Sequence, residues 1–205
     1  MPIGIPRVPY RLPGEPSAQW VDLYNRLYRD RVVFMGADLD DELGNQIIGI
    51  LAFLNIENPK ERIFLYINSL GGALMCGLGV FDAMQYVDPP VSTICIGVAA
   101  SMASFVLCGG QRGNRIILPH GRVMLHQPSA GSDGQSSDLL SDINEVRRLR
   151  MCVCEIYADI TTIPLKTISK DLGRDNFYTP EQAKAYGIVD NVIKHFSELN
   201  TSPAV

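Results

Sequence analysis

Short runs of apolar residues with two different spacings divide the chain into predicted strands and helices. Residues 63–67 (IFLYI) place aliphatic side chains on one face and aromatic ones on the other, which predicts a strand. Residues 91–98 are rich in β-branched side chains and predict a buried strand. Shorter strands are predicted over residues 32–35, 115–118 and 122–126.

The clearest helix start is Thr179, an N-cap residue with Pro180 at the first helical position and Gln182 completing a capping box. This helix is predicted to end at Tyr186. Helices are also predicted over residues 21–31, 43–55, 135–161 and 164–172, from the turn at 68–72 through Met84, and directly after Ser101. Because strands alternate with helices, we expect an α/β fold of βαβ units around a mostly parallel sheet.

The same pattern predicts one main domain with two short flanking segments. Residues 1–20 contain five prolines, so we expect this segment to be extended and mobile. Residues 21–196 form the expected domain, and residues 197–205 form a polar tail. No internal repeat or linker divides the chain further.

Composition narrows the class of protein. A chain of 205 residues with 46% hydrophobic content can bury a real core. The net charge of −4 argues against a nucleic-acid-binding surface. The apolar stretch over residues 91–110 is long enough to suggest a membrane span, but its interspersed serines and its strand-to-helix switch favour a buried core. We therefore expect a soluble protein.

The cysteines indicate a reducing compartment and no metal site. Their number, five, is odd, and no pair has C-x-x-C spacing. Cys76, Cys95 and Cys108 lie in apolar sequence and are predicted to be small core residues. Cys152 and Cys154 are two positions apart on a predicted helix and so point to different sides.

Ser101 is the first candidate for chemistry. The small residues around it allow a sharp turn from the predicted strand into a helix, where a hydroxyl can be exposed beside unpaired N–H groups. The pattern is not the G-x-S-x-G of α/β-hydrolases. Taken alone, a serine in tight helix–strand packing is the favoured interpretation, so the catalytic hypothesis needs partners for Ser101.

A serine nucleophile needs a base, and the base needs an orienting group. His126 follows an apolar strand, and strand ends of an open α/β sheet are where reacting groups gather. His120 and His195 are more easily explained as surface residues. The candidate orienting acids are Asp133, Asp138, Asp171 and Asp175, and sequence spacing does not choose among them. Nor does it place Ser101 near His126.

Gly71 and Gly72 follow the strand at 63–67 and have two interpretations. One is a tight turn that needs a positive φ. The other is a backbone N–H donor for an oxyanion, since glycine allows close approach of a substrate.

Several motifs, in order, resemble one family. They are residues 67–72 (INSLGG), 81–85 (FDAMQ), 93–95 (TIC), 99–102 (AASM), 122–128 (RVMLHQP), 174–175 (RD) and 186–190 (YGIVD). Together they resemble the proteolytic subunit of the Clp protease, over about residues 22–195. The N-terminal MPIG, with WVDLYN at residues 20–25, is similar to plastid-encoded members. The resemblance therefore implies the chloroplast stroma, with the bacterial cytoplasm as the alternative.

The resemblance implies a serine endopeptidase with Ser101 as nucleophile, His126 as general base and Asp175 as the third member. The backbone N–H groups of Gly72 and Met102 would bind the oxyanion. It implies a ClpP/crotonase-like fold with a protruding handle, a strand plus a long helix over about residues 127–161.

The resemblance also implies partners. Two stacked heptameric rings would enclose the active sites, and an AAA+ chaperone would feed in unfolded chains. ATP would be used by that chaperone, so no cofactor or metal is expected on this chain. The N-terminal residues 1–20 would line the axial opening. Phe64 and Tyr66 would contribute either to the apolar pocket where the chaperone docks or to the core.

Two positions depart from the family pattern. Leu70 stands where proline is usual, which restores an N–H beside the oxyanion donor, and Gly173 replaces an acidic residue associated with pairing between rings. We expect altered turn rigidity rather than lost chemistry. The alternatives to a peptidase are a noncatalytic subunit of a mixed ring and, less favoured, a crotonase-like acyl-CoA enzyme.

Overall fold

The computed structural model describes residues 4–11, 14, 17–127, 135–195 and 197–198. The strands are β1 Arg7–Tyr10, β2 Gln19–Asp22, β3 Val32–Met35, β4 Ile63–Ser69, β5 Val91–Ala100, β6 Arg115–Ile117, β7 Arg122–Leu125, β8 Asn176–Tyr178 and β9 Asn191–Val192. The helices are α1 Leu23–Arg29, α2 Asp41–Glu57, α3 Leu74–Tyr86, α4 Met102–Cys108, α5 Ser136–Thr161, α6 Leu165–Asp171 and α7 Pro180–Tyr186.

A seven-stranded sheet carries the fold, with the parallel order β3-β4-β5-β6-β9. Strand β5 is long enough to pair with two successive neighbours on one side. Its first half pairs with β6 through Thr93–Cys95, and its last three residues pair with β7. Strand β8 then adds antiparallel to β7. The carboxyl ends of β5 and β7 therefore lie side by side, which is the arrangement that positions the candidate site.

The core lies between the sheet and three helices: α4 packs on β4 and β5, α2 packs on β3, and α3 packs between α2 and α4. The alternation of β4 is confirmed, because Ile63, Leu65 and Ile67 are fully buried while the two aromatic residues between them are half-buried. Every residue of α4 is buried, including Phe105, whose ring packs 4.8 Å from that of Phe81 between centroids.

The capping box at Thr179 is confirmed in both directions. The Thr179 hydroxyl accepts from the Gln182 N–H at 3.3 Å, and the Gln182 side chain accepts from the Thr179 N–H at 2.9 Å. Helix α5 begins one residue later than predicted. Its first half is largely exposed and its second half packs on α4 and α6. Residues 128–134, where the handle strand is predicted, lie outside the described residues.

The remaining differences between the predicted and the observed structure concern short strands, the proline-rich N-terminal segment and Cys76. Strands β8 and β9 have three and two residues, too few to show a period of two. The N-terminal segment pairs as an antiparallel β1–β2 hairpin despite its prolines. Cys76 is half-buried rather than a core residue, because its thiol donates to the Asp41 carboxylate across the α2–α3 interface at 2.9 Å.

Candidate active site

Ser101 occupies the turn between β5 and α4 in a conformation that non-glycine residues rarely adopt, with φ 53° and ψ −126°. Such a conformation costs about 1–3 kcal/mol and persists only where surrounding contacts impose it. Here the Ser101 N–H donates to the carbonyl of Met124 at 2.9 Å, and the Ser101 carbonyl accepts from the Ser104 N–H at 3.0 Å. The turn holds the side chain at the exposed end of the sheet, half-buried.

The position of His126 follows from the register of β5 and β7. Ala100 pairs with Met124, so Ser101 lies one residue beyond the end of the ladder and His126 lies two residues beyond it. Both follow parallel strands at the same edge of the sheet. In the described part of the chain, Ser101 Oγ makes no hydrogen bond with His126. Catalytic hydrogen bonds are often absent or long before substrate binds.

Asp175 comes next to His126 through the antiparallel pair β7–β8. Leu125 pairs with Asn176. Because the strands are antiparallel, His126, which follows Leu125, faces Asp175, which precedes Asn176. His126 Nδ1 lies 3.4 Å from Asp175 Oδ1, and the two side chains are 30% and 65% exposed. The ring nitrogen left free by this arrangement is Nε2, the one that a general base would use toward a hydroxyl.

None of the other candidate acids is found paired with His126 among the described residues. Asp171 accepts a hydrogen bond from the Tyr186 hydroxyl at 2.8 Å. Burial and this bond raise the pKa of Tyr186, so the hydroxyl stays protonated and Asp171 stays paired. Asp138 is exposed in the first turn of α5, and Asp133 lies outside the described residues. Of the four acids left open by spacing, the geometry therefore favours Asp175.

The glycine pair after β4 lies directly against the Ser101 turn. Gly71 has φ 98°, and a Cβ there would come within 2.7 Å of both the Ala100 carbonyl oxygen and Ser101 Cβ. Gly72 has φ 153°, and a Cβ there would come within 2.2 Å of the Leu39 carbonyl oxygen. No side chain fits at either position. The interpretation as a tight turn is therefore confirmed, and the interpretation as an oxyanion donor stays a prediction.

Two backbone N–H groups beside Ser101 remain available. Among the described residues, neither the Gly72 N–H nor the Met102 N–H has a hydrogen-bond partner. Met102 is the first residue of α4, where N–H groups have no intrahelical acceptor. The neighbouring Gly71 N–H is satisfied by the buried Ser69 hydroxyl at 3.0 Å, and its carbonyl accepts from the Leu39 N–H at 2.7 Å. One of the two free donors therefore follows Ser101 directly in the chain, and the other follows Gly71, which contacts the Ser101 turn.

The two positions that depart from the family pattern, Leu70 and Gly173, take no part in the described contacts of Ser101. The Leu70 side chain is 66% exposed at the end of β4, between the buried Ser69 and Gly71. Gly173 donates its N–H to the Lys170 carbonyl at the end of α6 and has a negative φ. Neither position alters the described contacts of Ser101.

Other reactive groups do not form a competing site. His120 and His195 are exposed, as expected for surface residues. Burial raises the pKa of Cys95 and of Cys108 to about 12, so neither thiol supplies a thiolate near neutral pH. Within the described ranges, no group of three or more potential metal ligands is found.

The two aromatic residues of β4 cover a second, smaller apolar cluster on the opposite face of the sheet. Phe64 and Tyr66 are half-buried against Ile94 and Ile116, and the Tyr66 ring stacks on Phe34 at 5.2 Å between centroids. They are neither fully buried nor fully exposed, which leaves both predicted roles open.

Known proteins resemble this chain over nearly its whole length. A profile of the Clp protease family matches residues 15–196. A protein named ATP-dependent Clp protease proteolytic subunit from Oltmannsiellopsis viridis is 60% identical over 94% of this chain and 98% of its own length. Proteins of the same name from Chlorella vulgaris and Chlorokybus atmophyticus are 57% and 52% identical, over 94% and 98% of this chain and 96% and 89% of theirs.

The chain belongs to the Clp protease family. Its role is that of a proteolytic subunit and its activity that of a serine endopeptidase. Membership also supports an oligomeric assembly that works with Clp ATPases in general. The relatives come from algae and plants, which suggests a plastid origin. Across the described residues, no helix has both the length and the apolar character needed to cross a membrane.

Some contacts of the site were not found from sequence. Leu39 contributes only its backbone, through a bridge to Gly72, and no side-chain pattern signals such a role. Ser69 lies within the INSLGG motif, but nothing in its spacing indicates that its hydroxyl holds the Gly71 N–H. Met124 likewise acts through its carbonyl. Backbone contacts of this kind are set by the fold rather than by residue type.

Proposed function

We propose that Ser101, His126 and Asp175 form the catalytic triad of this subunit. The observation that carries the proposal is the combined register of β5, β7 and β8. It brings the half-buried Ser101 side chain and an imidazole to one sheet edge, with a carboxylate 3.4 Å from the imidazole Nδ1. In this scheme Asp175 holds the Nδ1–H tautomer, so that Nε2 takes the Ser101 proton as the hydroxyl attacks the peptide carbonyl.

The oxyanion formed in that step is bound by the N–H groups of Gly72 and Met102. Both groups are unpartnered within the described chain; Met102 follows Ser101, and Gly72 follows Gly71, which contacts the Ser101 turn. One such donor typically contributes about 10²–10³ in kcat. The general base adds about 10²–10⁴. His126 then protonates the leaving amine, and water hydrolyses the acyl-enzyme by the same route.

The wider assembly is also proposed from family membership. The chain works within two stacked heptameric rings, formed with itself or with paralogous subunits, in the chloroplast stroma. An AAA+ Clp ATPase supplies unfolded polypeptide at the axial opening, beside residues 1–20. That partner consumes the ATP, so the chain itself requires no cofactor. Residues 127–161 form the handle between rings, and residues 197–205 form a polar tail.

A fluorophosphonate probe tests the triad, because it reacts with an activated serine and not with an ordinary one. Labelling at Ser101 is expected in the assembled wild-type ring, with none in Ser101→Ala. Ser104→Ala is not a suitable control because Ser104 contacts the turn, whereas the distant Ser92→Ala keeps Ser101 intact. An assembled wild-type ring that stays unlabelled would favour the noncatalytic subunit and overturn the proposal.

A further inference from the structure

A chain of buried hydroxyl groups leads from the long helix α5 to the Ser101 turn. The Ser104 hydroxyl lies 2.6 Å from the carbonyl oxygen of Ser101 and 2.9 Å from the hydroxyl of Tyr157. Ser104 is fully buried and Tyr157 is 2% exposed. No solvent separates the three groups, so their order is fixed by the protein.

The direction of these hydrogen bonds follows from the chemistry of each group. A carbonyl oxygen only accepts, so the one hydroxyl hydrogen of Ser104 is donated to Ser101. Ser104 must then accept from Tyr157, whose hydroxyl is the donor. Burial raises the pKa of the Tyr157 hydroxyl well above its usual value, which keeps it protonated as this role requires.

The Ser101 carbonyl belongs to the same peptide group as the Met102 N–H. That carbonyl also accepts from the Ser104 and Phe105 N–H groups, at 3.0 and 3.3 Å. Because a peptide group is planar, holding its oxygen on one side fixes the direction of its N–H on the other. Hydrogen bonds to the oxygen also polarise the group and strengthen the N–H as a donor.

We propose that Tyr157 is a positioning residue for catalysis: through Ser104 it orients and polarises the peptide group whose Met102 N–H binds the oxyanion. This inference rests on the proposed role of Ser101 and Met102. It adds a link between that site and α5, the helix of the handle. The Tyr157 ring itself is held by edge-on packing against Phe105, 5.5 Å between centroids.

Tyr157→Phe is the central test, because it removes the hydroxyl and keeps the ring. An oxyanion donor acts in the transition state, so kcat for a fluorogenic peptide should fall about three- to tenfold. KM should stay within about twofold. Affinity for a peptide boronate, which forms a tetrahedral adduct on a serine hydroxyl, should fall by the same factor as kcat.

Thr161→Val is the matched control, since Thr161 is also a buried hydroxyl of α5 but donates to the Tyr157 carbonyl rather than toward Ser101. It should leave kcat and boronate affinity unchanged. Ser104→Ala should lower kcat at least as much as Tyr157→Phe, and the double variant should be no slower than Ser104→Ala. Assembly and thermal unfolding of every variant are measured alongside.

The outcomes separate this inference from the proposed function. If wild-type Ser101 is not labelled by the fluorophosphonate, the proposed function fails and the inference fails with it. If wild-type Ser101 is labelled and Tyr157→Phe keeps wild-type kcat, only the inference fails. A rise in KM without loss of boronate affinity, or multiplicative losses in the double variant, would also overturn it.

Discussion

The two halves of the candidate site are built differently. The Ser101 half is embedded in the core: helix α4 is buried throughout, Gly71 presses against the turn, and the Ser101 N–H is bonded to β7. The other half consists of His126 and Asp175, which are 30% and 65% exposed and 3.4 Å apart at the edge of the sheet.

This difference separates two kinds of sensitivity. In the buried half, chemistry and stability depend on the same contacts, so a substitution there affects both. In the half formed by His126 and Asp175, the two side chains are partly exposed at the sheet edge, so replacing one should affect folding less and its contribution to chemistry can be measured separately. Variants in each half therefore test whether activity and stability change together around Ser101 and separately at His126 and Asp175.

The largest expected effect is on the exposed half, in His126→Ala. Without the base Ser101 is also not activated as a nucleophile, so kcat for a fluorogenic peptide should fall by about 10⁴–10⁶, more than the roughly 10²–10⁴ of proton transfer alone. The thermal unfolding temperature should change by less than a few degrees, because the His126–Asp175 pair is partly exposed and such pairs contribute little to stability. The exposed His120→Ala is the control and should keep full activity. An active His126→Ala ring would exclude His126 as the base.

Asp175→Asn is expected to come next, with kcat lower by about 10³–10⁴, because the amide favours the wrong imidazole tautomer. Assembly measured by native mass spectrometry should be unchanged. Asp171→Asn offers a comparison, since its carboxylate bonds to Tyr186 instead. Should Asp171→Asn slow cleavage more than Asp175→Asn, the assignment of the third member would be wrong.

In the buried half, Gly71→Ala should reduce both stability and activity. A methyl group there would lie 2.7 Å from Ser101 Cβ, and φ is 98°, so we expect a loss of about 2–4 kcal/mol in unfolding free energy. Fluorophosphonate labelling should slow as well. Gly49→Ala is the matched control, because Gly49 lies inside α2 with no atom near its Cβ position. It should be neutral or stabilising by about 0.5–1 kcal/mol.

The ion pair between Arg115 and Asp190 supports the same buried half. Arg115 donates to both Asp190 oxygens, at 2.9 and 2.6 Å, and to the carbonyl of Cys108 at the end of α4. Burial by itself raises the pKa of Asp190, but the bonds and charge of Arg115 outweigh it, so the net pKa is below the usual value.

A carboxylate with a lowered pKa in the folded state adds stability above its unfolded pKa of about 4, and this stability is lost as the pH falls through the folded pKa. Asp190→Asn should therefore lower the free energy of unfolding at neutral pH by about 2–3 kcal/mol. This value allows for the partial exposure of the pair to solvent. The difference from the wild type in denaturant unfolding should shrink below about pH 4. A difference independent of pH would show that the charge contributes nothing.

The smallest expected effect is that of Leu70→Pro, which places the usual family residue at the exposed end of β4. The substitution stiffens the unfolded chain, so stability should rise by about 0.4–1 kcal/mol. The value of kcat should stay within about threefold of the wild type, since the Ser101 contacts do not involve the Leu70 side chain. Leu70→Ala distinguishes loss of the side chain from a gain in rigidity.

Periodicity and local chemistry were enough for much of the fold. The alternation in β4, the capping box of α7 and the extent of α5 are local properties, and each was predicted within a few residues. The very short β8 and β9 were not predicted, because each begins with a polar Asn and has only one or two apolar residues, whereas the equally short β6 lies in the apolar run at residues 116–118. The β1–β2 hairpin was missed because its prolines argue locally against pairing, while the antiparallel partner strand is a tertiary contact.

For the site, residue types named Ser101 and His126 as candidates, and the resemblance to a family chose Asp175. Residue spacing left four acids open because the distance between two side chains depends on which strands become neighbours. Only the tertiary structure decided that β7 joins the end of β5 and that β8 returns beside β7. Such pairings are long-range, so the sequence alone determined the chemical groups while the sheet register decided which of them meet.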